Sequence, residues 1–382
     1  MGRDIPLGRI AGIKVGMNVS VLLIAGLNAW VLADNNFPIQ VPGLTTTDYW
    51  VAGVVAALAF FVSLLVHEMG HALVAREEGI GVKGISLWLL GGVARLESSP
   101  QTPRAEFRIA VVGPLASAAC GAFLISVAYV LPDTGRWDLA GTASAWLGVL
   151  NLILAGFNLL PAAPLDGGTV LSALIWWRTG SQSAGKVWAA RSGVAVGLGL
   201  AWYGLGDLRA EDSDGFGIWI LAVGGFIAMN AWQALRSAPL YSLLEGVRVS
   251  NAMYANPPTA RAEDTVADFL RTLPRDTRHQ AYPVIADHGR VVGLLTANAI
   301  RAVPAEKWEA LRNSDLAFPL NRLTVVRADE PLLTAVQRID SGDIRTGLVV
   351  DDHGRTIGTV DARALYDTAE TRRGQLAPSG RG

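Results

Sequence analysis

Cysteine and charge are the scarce ingredients of this chain, and each shortage excludes something. A single cysteine, Cys120, stands among 382 residues and lies in a hydrophobic run, so neither a disulfide framework nor a thiolate metal site can be built. Asp, Glu, Lys and Arg together make up 17% of the sequence, where a soluble globular protein carries about 25%. Hydrophobic residues fill 51% of it, which points to a membrane protein. The formal net charge of -1 gives no basis for a nucleic-acid partner. Residues 1–15 lack the short apolar core and small-residue exit of a cleavable signal peptide, so the first hydrophobic segment is expected to remain as a span.

What is present is hydrophobic length. Six segments reach the roughly 20 apolar residues that a spanning helix needs, near residues 17–33, 49–72, 107–131, 139–160, 187–206 and 216–235. Basic residues mark alternate loops. Arg3, Arg9 and Lys14 precede the first segment, and Arg76, Lys83, Arg95 and Arg104 follow the second. The loop at residues 34–48 has no Lys or Arg, and the last loop is acidic, with Asp207, Glu211, Asp212 and Asp214 against Arg209. The positive-inside rule therefore places both termini in the cytoplasm. The expected location is a cell membrane, the bacterial plasma membrane.

His67-Glu68-Met69-Gly70-His71 closes the second span. On a helix this spacing sets two imidazoles one turn apart on one face, which suits two ligands of one zinc ion with the glutamate beside them as general base. Ionisable groups are costly at membrane depth, so their presence there calls for a functional explanation. Spans two and four run in the same direction, and span four ends in Asn158-Leu159-Leu160-Pro161-Ala162-Ala163-Pro164-Leu165-Asp166-Gly167-Gly168. Asp166 thus arrives at the depth where the histidine pair needs a third, anionic ligand. Three protein ligands leave a fourth position open for water, the mark of a catalytic zinc. Pro161 and Pro164 break the helix before Asp166, and irregular backbone at that depth lines a cavity or is buried in protein.

Other candidates have plainer rivals. Asn151 and Asn158 lie two turns apart, and Asn158 is the one assigned to substrate, Asn151 to a neighbouring helix. Ser63 reads as an interhelical contact and Gly113-Pro114 as a kink. Two β-prone runs around Gly91-Gly92, from Ile85 to Leu96, suggest a hairpin at the membrane surface, whose edge could pair with an unwound substrate. A purely structural hairpin is the equal alternative.

The hydropathy changes after Arg236. Residues 250–368 are polar and repeat at an offset of 65 residues: Asp287-His288-Gly289-Arg290 matches Asp352-His353-Gly354-Arg355, and Asp264 matches Asp329. Each copy reads as strand, helix (266–273; 332–339), strand (282–285; 347–350), tight turn, strand (291–296; 356–361) and helix, two α/β modules packed as a pair. The expected organisation is a membrane domain at 1–240 with its core near 50–175, a linker at 241–249, repeats at 250–305 and 306–368, and a disordered tail at 369–382.

The membrane motifs resemble the site-2 protease family of intramembrane zinc metalloproteases. The resemblance rests on His67-Glu68-Met69-Gly70-His71, on Asn158 through Pro161 to Leu165-Asp166-Gly167, on Glu106 through Gly113-Pro114 to Ser117, and on Gly91-Gly92-Val93-Ala94-Arg95-Leu96. It implies a mainly α integral membrane fold that cuts membrane segments of single-pass proteins, such as a membrane-bound inhibitor of a sigma factor. It also implies one zinc ion per chain. The repeats resemble a CBS-domain pair, which implies a cytoplasmic regulatory module, adenine nucleotide as a ligand, or homodimerisation. Ala299 after Thr296, and Ala364 after Asp361, stand where that family has its ribose-binding Asp, so nucleotide binding by the usual route is disfavoured. A transporter or channel regulated by such a pair is the competing reading. It predicts a repeat between the two halves of the membrane domain, and none is found.

Overall fold

The computed structural model describes residues 5–88, 91–210, 215–274, 279–286, 289–340, 342 and 344–376. Leu89-Leu90 of the hairpin, Glu211, Asp212 and Asp214 of the acidic loop, Asp287 and His288 of the repeat motif, and the last six residues of the expected tail, 377–382, lie outside the described residues. The chain divides into two compact units, Met1–Ala238 and Pro239–Gly382.

The first unit begins with two strands, β1 (Ile5–Ile10) and β2 (Ile13–Met17), joined at Ala11-Gly12. Both turn residues have positive φ, 50° and 80°, the primed geometry that a two-residue hairpin requires. Helix α1 (Ser20–Val31) continues through a π turn at Leu32–Asn36 into α2 (Phe37–Gln40). Then comes α3 (Thr46–Glu77), 32 residues long. Its first turn is closed by Thr45 and Asp48, each side chain accepting from the other's backbone N–H at 3.2 Å. At about 1.5 Å per residue α3 exceeds the roughly 30 Å hydrocarbon layer, so its last turns, which carry the histidines, lie toward one end.

Strands β3 (Val82–Trp88) and β4 (Gly91–Leu96) form the expected hairpin. Helices α4 (Pro103–Val130), α5 (Gly135–Asn158), α6 (Asp166–Thr179), α7 (Gln182–Asp207) and α8 (Phe216–Leu244) follow. Among the described residues, four helices are long and apolar enough to cross a bilayer: α3, α4, α5 and α8. The first and fifth expected spans are also helical. Alone, however, α1 has only 12 residues, and α7 is diluted by glycine and polar side chains.

The hairpin is part of a larger sheet ordered β1-β2-β3-β4, in which β2 pairs parallel with β3. The sequence reading missed β1 and β2, because the apolar run after Asn18 draws attention away from Ile13 and Val15. Both are nonetheless buried, Ile13 against Val21, Leu64 and Ile85.

In the second unit, β5 (Tyr254–Ala255), β6 (Ala260–Arg261), α9 (Val266–Thr272), β7 (Ala281–Ile285), β8 (Val291–Thr296), α10 (Ala297–Arg301), α11 (Asn313–Leu316) and β9 (Phe318–Pro319) precede the second copy. That copy holds β10 (Thr324–Arg327), α12 (Leu332–Asp340), β11 (Thr346–Val350), β12 (Thr356–Asp361) and α13 (Ala362–Leu376). The sheets run β6-β7-β8-β9 and β10-β11-β12-β5. Strands β7 and β11, and likewise β8 and β12, stand 65 residues apart, matching the sequence repeat. Ala281 and Leu294 of one copy pack on Leu348 of the other.

Two boundaries differ from expectation. Residues 241–249 are not a free linker: Leu244, Val247 and Val249 are buried in the core of the second copy with Leu332 and Val336. Nor does order stop at residue 369. Helix α13 runs to Leu376, because Ala369 (6% exposed) faces that core and Arg372 donates to the Leu243 carbonyl at 3.1 Å.

Candidate metal centre

His67 and His71 sit near the end of α3 and face α4, and both are buried. Three residues of α4, spaced four apart and hence on one face, receive them. His71 Nδ1 donates to the Ile109 carbonyl at 2.5 Å, and His67 Nδ1 lies 2.9 Å from Ser117 Oγ. Between these, Gly113 passes so close that a Cβ there would overlap His71 Nε2 and stand 2.8 Å from His67 Nε2. The Gly113-Pro114 pair, read from sequence as a kink, therefore has a second use: it clears the space in front of the imidazoles.

A carbonyl only accepts, so His71 carries a hydrogen on Nδ1, and in the neutral ring, the form that binds a metal, this leaves the lone pair on Nε2. Ser117 can fix His67 in the same tautomer. The two Nε2 atoms are 3.2 Å apart, and Asp166 Oδ2 lies 3.2 and 3.3 Å from them. Asp166 Oδ2 is itself buried without a hydrogen-bond donor. With both rings neutral, three lone pairs converge, an arrangement that is repulsive unless a cation stands among them. A tetrahedral zinc with ligands at about 2.0–2.1 Å separates its donor atoms by about 3.3–3.4 Å. The side of this triangle fits that ion, and no other described group of three or more His, Cys, Asp or Glu residues does so.

Asp166 reaches the triangle because α5 stops at Asn158, and Asp166 opens α6. The first turn of α6 folds onto the preceding segment so tightly that a Cβ on Gly168 would come within 2.6 Å of the Ala162 carbonyl carbon. A Cβ on Gly167 would overlap the Leu159 and Leu160 carbonyls. The Asp-Gly-Gly run is therefore a requirement of close approach. A carboxylate in the first turn is also favoured by the helix dipole.

Glu68 faces away from the triangle's α4 side and lies on β4. Its Oε2 accepts from the Ala94 N–H at 3.1 Å. A Cβ on Gly92 would stand 2.8 Å from Glu68 Cδ. Asn158 is half-buried and makes no side-chain hydrogen bond among the described residues. Asn151 is fully buried and donates to the Leu147 carbonyl of its own helix at 2.9 Å, leaving Oδ1 unpaired. Ser63 is buried and donates to the Phe60 carbonyl within α3 at 2.8 Å. Gly91, at φ 141°, begins β4. A cavity of about 300 Å³, lined by Glu106, Ile109, Gly168 and Gln182 among others, adjoins the centre through Ile109 and Gly168. The sequence reading overlooked Ile109 and Ala94. Both act through backbone atoms, which leave no trace in side-chain identity.

A His-His-Asp triangle with both histidines buried, near the end of a spanning helix and with a carboxylate beside it, could hold a metal ion, the arrangement of a membrane-embedded metallohydrolase. The sequence profile of peptidase family M50 matches residues 55–135 and 136–201, and that of the CBS domain matches 249–306 and 315–369. The chain is 37% identical, over 95% of its length and 93% of the relative's, to the Mycobacterium tuberculosis protein designated zinc metalloprotease Rip3. It is 31% identical, over 97% of both, to a Synechocystis protein designated zinc metalloprotease sll0528. The solved site-2 protease of Methanocaldococcus jannaschii shares 26% identity, covering 61% of this chain and 96% of its own, with a TM-score of 0.41. The protein belongs to peptidase family M50: it is a zinc metalloprotease of the site-2 protease type, carrying a CBS-domain pair.

Proposed function

We propose that the protein cuts the membrane-spanning segments of single-pass proteins, with His67, His71 and Asp166 holding zinc and Glu68 moving the proton. The observation that carries this reading is the triangle of Nε2, Nε2 and Oδ2 atoms at 3.2–3.3 Å, with the Glu68 carboxylate next along the helix. When bound, zinc supplies the Lewis acidity that activates water and polarises the scissile carbonyl. Glu68 accepts a proton from the attacking water and returns it to the leaving amine. Ser117 and the Ile109 carbonyl hold the imidazole rings in orientation and tautomer. A helical substrate hides its carbonyls, so the segment to be cut must unwind. The outer edge of β4, the last strand of its sheet, beginning at Gly91-Gly92, offers it a strand to pair with. Asn158, at the end of α5 with an uncommitted amide, is placed to bind its backbone.

The same reading sets six spans, both termini in the cytoplasm of a bacterial plasma membrane, and the metal centre near the cytoplasmic face. The CBS pair then acts on cytoplasmic signals, by gating or by pairing two chains, with repeats at 250–305 and 306–368. Against nucleotide binding by the usual route stand Ala299 and Ala364, and Asp361 spends its carboxylate on the N–H groups of Arg363 and Ala364 at 2.9 and 3.2 Å.

The deciding experiment compares membrane proteins of cells producing the wild type or Glu68→Gln. Single-pass proteins, or shortened remnants such as a membrane-bound sigma-factor inhibitor, should accumulate only with the variant, whose zinc content should stay at the wild-type level. Cleavage at the wild-type rate by Glu68→Gln would overturn the mechanism.

A further inference from the structure

One backbone donor on β4 serves a side chain rather than its sheet. The strand is the last in its sheet, paired with β3 through Ile85↔Ala94 and Leu87↔Gly92. The Ala94 N–H leaves that ladder and donates to Glu68 Oε2 at 3.1 Å. Gly92, on the same face two residues earlier, lies against the Glu68 side chain so closely that only glycine fits. The Glu68 carboxylate, 7% exposed as a residue, is thus docked on the outer edge of β4 at Ala94 and Gly92. A strand added to that edge accepts from alternate N–H groups, here Gly92 and Ala94. A backbone N–H is a single donor.

Building on the proposed reading of β4 as the substrate's pairing edge, we propose that Glu68 is latched. The Ala94 N–H holds its carboxylate in the resting enzyme, and a backbone carbonyl of the bound substrate takes that N–H and releases Glu68 for proton transfer. Ala94 is then a positioning residue acting through its backbone, and Gly92 leaves the room in which Glu68 lies when latched. The arrangement also selects for substrate conformation. A helical segment keeps its carbonyls bonded internally and has nothing to offer the Ala94 N–H. An unwound segment does, so the base is set free only when a cleavable backbone is in place.

The latch makes a binding prediction that does not depend on turnover. Glu68→Gln and Glu68→Met are both uncharged and similar in length, but only glutamine keeps a carbonyl for the Ala94 N–H. The probe is a ten-residue valine-rich peptide, N-methylated at alternate amides so that one edge alone can pair. It should bind the full-length Met variant in detergent about tenfold more tightly than the Gln variant, the worth of about one hydrogen bond. Equal affinity, or no binding by either, would overturn the latch. A second measurement needs no substitution: in the peptide-free wild type the Ala94 amide should exchange slowly and the Gly92 amide fast, with both slow once the peptide is bound. Equal rates at the two amides in the free protein would also overturn it. Cleavage by Glu68→Gln is a separate outcome, refuting the role of Glu68 as base rather than its contact with β4.

Discussion

In the membrane unit, His67, Glu68, His71 and Ser117 are buried polar side chains that gather at one point, and Asp166 joins them from another helix. In the C-terminal unit, Thr296, Asn313 and Asp361 are buried too, but each bonds to a backbone group. Thr296 accepts from the Ala299 N–H at 3.1 Å, Asn313 donates to the Arg261 carbonyl at 2.8 Å, and Asp361 caps α13. A buried polar group costs several kcal/mol unless it is bonded. Backbone bonds meet most of that cost in the second unit, where Asn313 Oδ1 alone of these three residues' oxygens is left buried and unpaired. In the first, lone pairs are turned toward one another, which no fold requires. Mutual exposure of acceptors, rather than burial itself, is what separates a site from a scaffold here.

The comparison breaks most sharply at Asp166. Asp166→Ala removes one corner of the triangle, so zinc bound to purified protein should fall by at least tenfold and cleavage with it. The helices should remain, since Asp166 sits at the start of α6. Unchanged zinc stoichiometry would reject Asp166 as a ligand. A cap of the second unit, tested by Asp361→Ala, should instead cost about 1 kcal/mol of that unit's stability and leave zinc untouched.

Gly113→Ala tests shape rather than charge. Its Cβ would overlap His71 Nε2, so one imidazole must turn away and cleavage should drop about a hundredfold, in line with the cost of misplacing a reacting group by about 1 Å. Gly156→Ala on α5 meets open space and should act like the wild type in the same reporter assay. Equal effects would mean that helix flexibility, not clearance, is what glycine supplies.

Much of this was legible in the sequence, for reasons that also explain what was not. The histidine helix and Asp166 announce themselves because ionisable groups are rare at that depth. The two repeats do so because their strands recur at one offset, and four of the observed strands fall within a residue of the expected ranges. Ile109, Ala94 and the pairing of β2 with β3 depend on which backbones meet, and a side-chain alphabet does not record that. The buried face of the end of α13 was hidden by its charged neighbours: Glu370, Arg372 and Arg373 mask Ala369, which reaches the same core as Ala364.

Ser117→Ala should be milder. It deletes the partner of His67 Nδ1 at 2.9 Å and leaves all three donor atoms in place, so zinc affinity should fall about 10- to 100-fold, measured by competition with a chelator. Ser117→Thr keeps the hydroxyl and should recover part of the loss. If alanine binds zinc as tightly as serine, the ring is held by the Gly113 channel alone.

The smallest expected effect lies in the second unit, where the two repeats can be set against each other. Asp351 accepts from the N–H groups of His353 and Arg355 at 2.9 and 2.8 Å, and the Arg355 backbone bond is the main cause that holds its carboxyl below the ordinary value. In the first repeat the same position is Ala286, with no carboxylate to offer. A carboxyl depressed in the folded state lends its stability above its unfolded value and loses it as pH falls through the folded one. The amides of the turn at Asp351–Gly354 should therefore exchange faster on acidification below about pH 4, the usual carboxylate range. Asp351→Asn should remove most of that pH dependence, and Ala286→Asp should create it in the first repeat. The carboxylate is half-buried and its partners all lie in or beside the turn, so the change should be local to it. An unaltered exchange profile in Asp351→Asn would show that the turn is set by Gly354, at φ 75°, without help from the side chain.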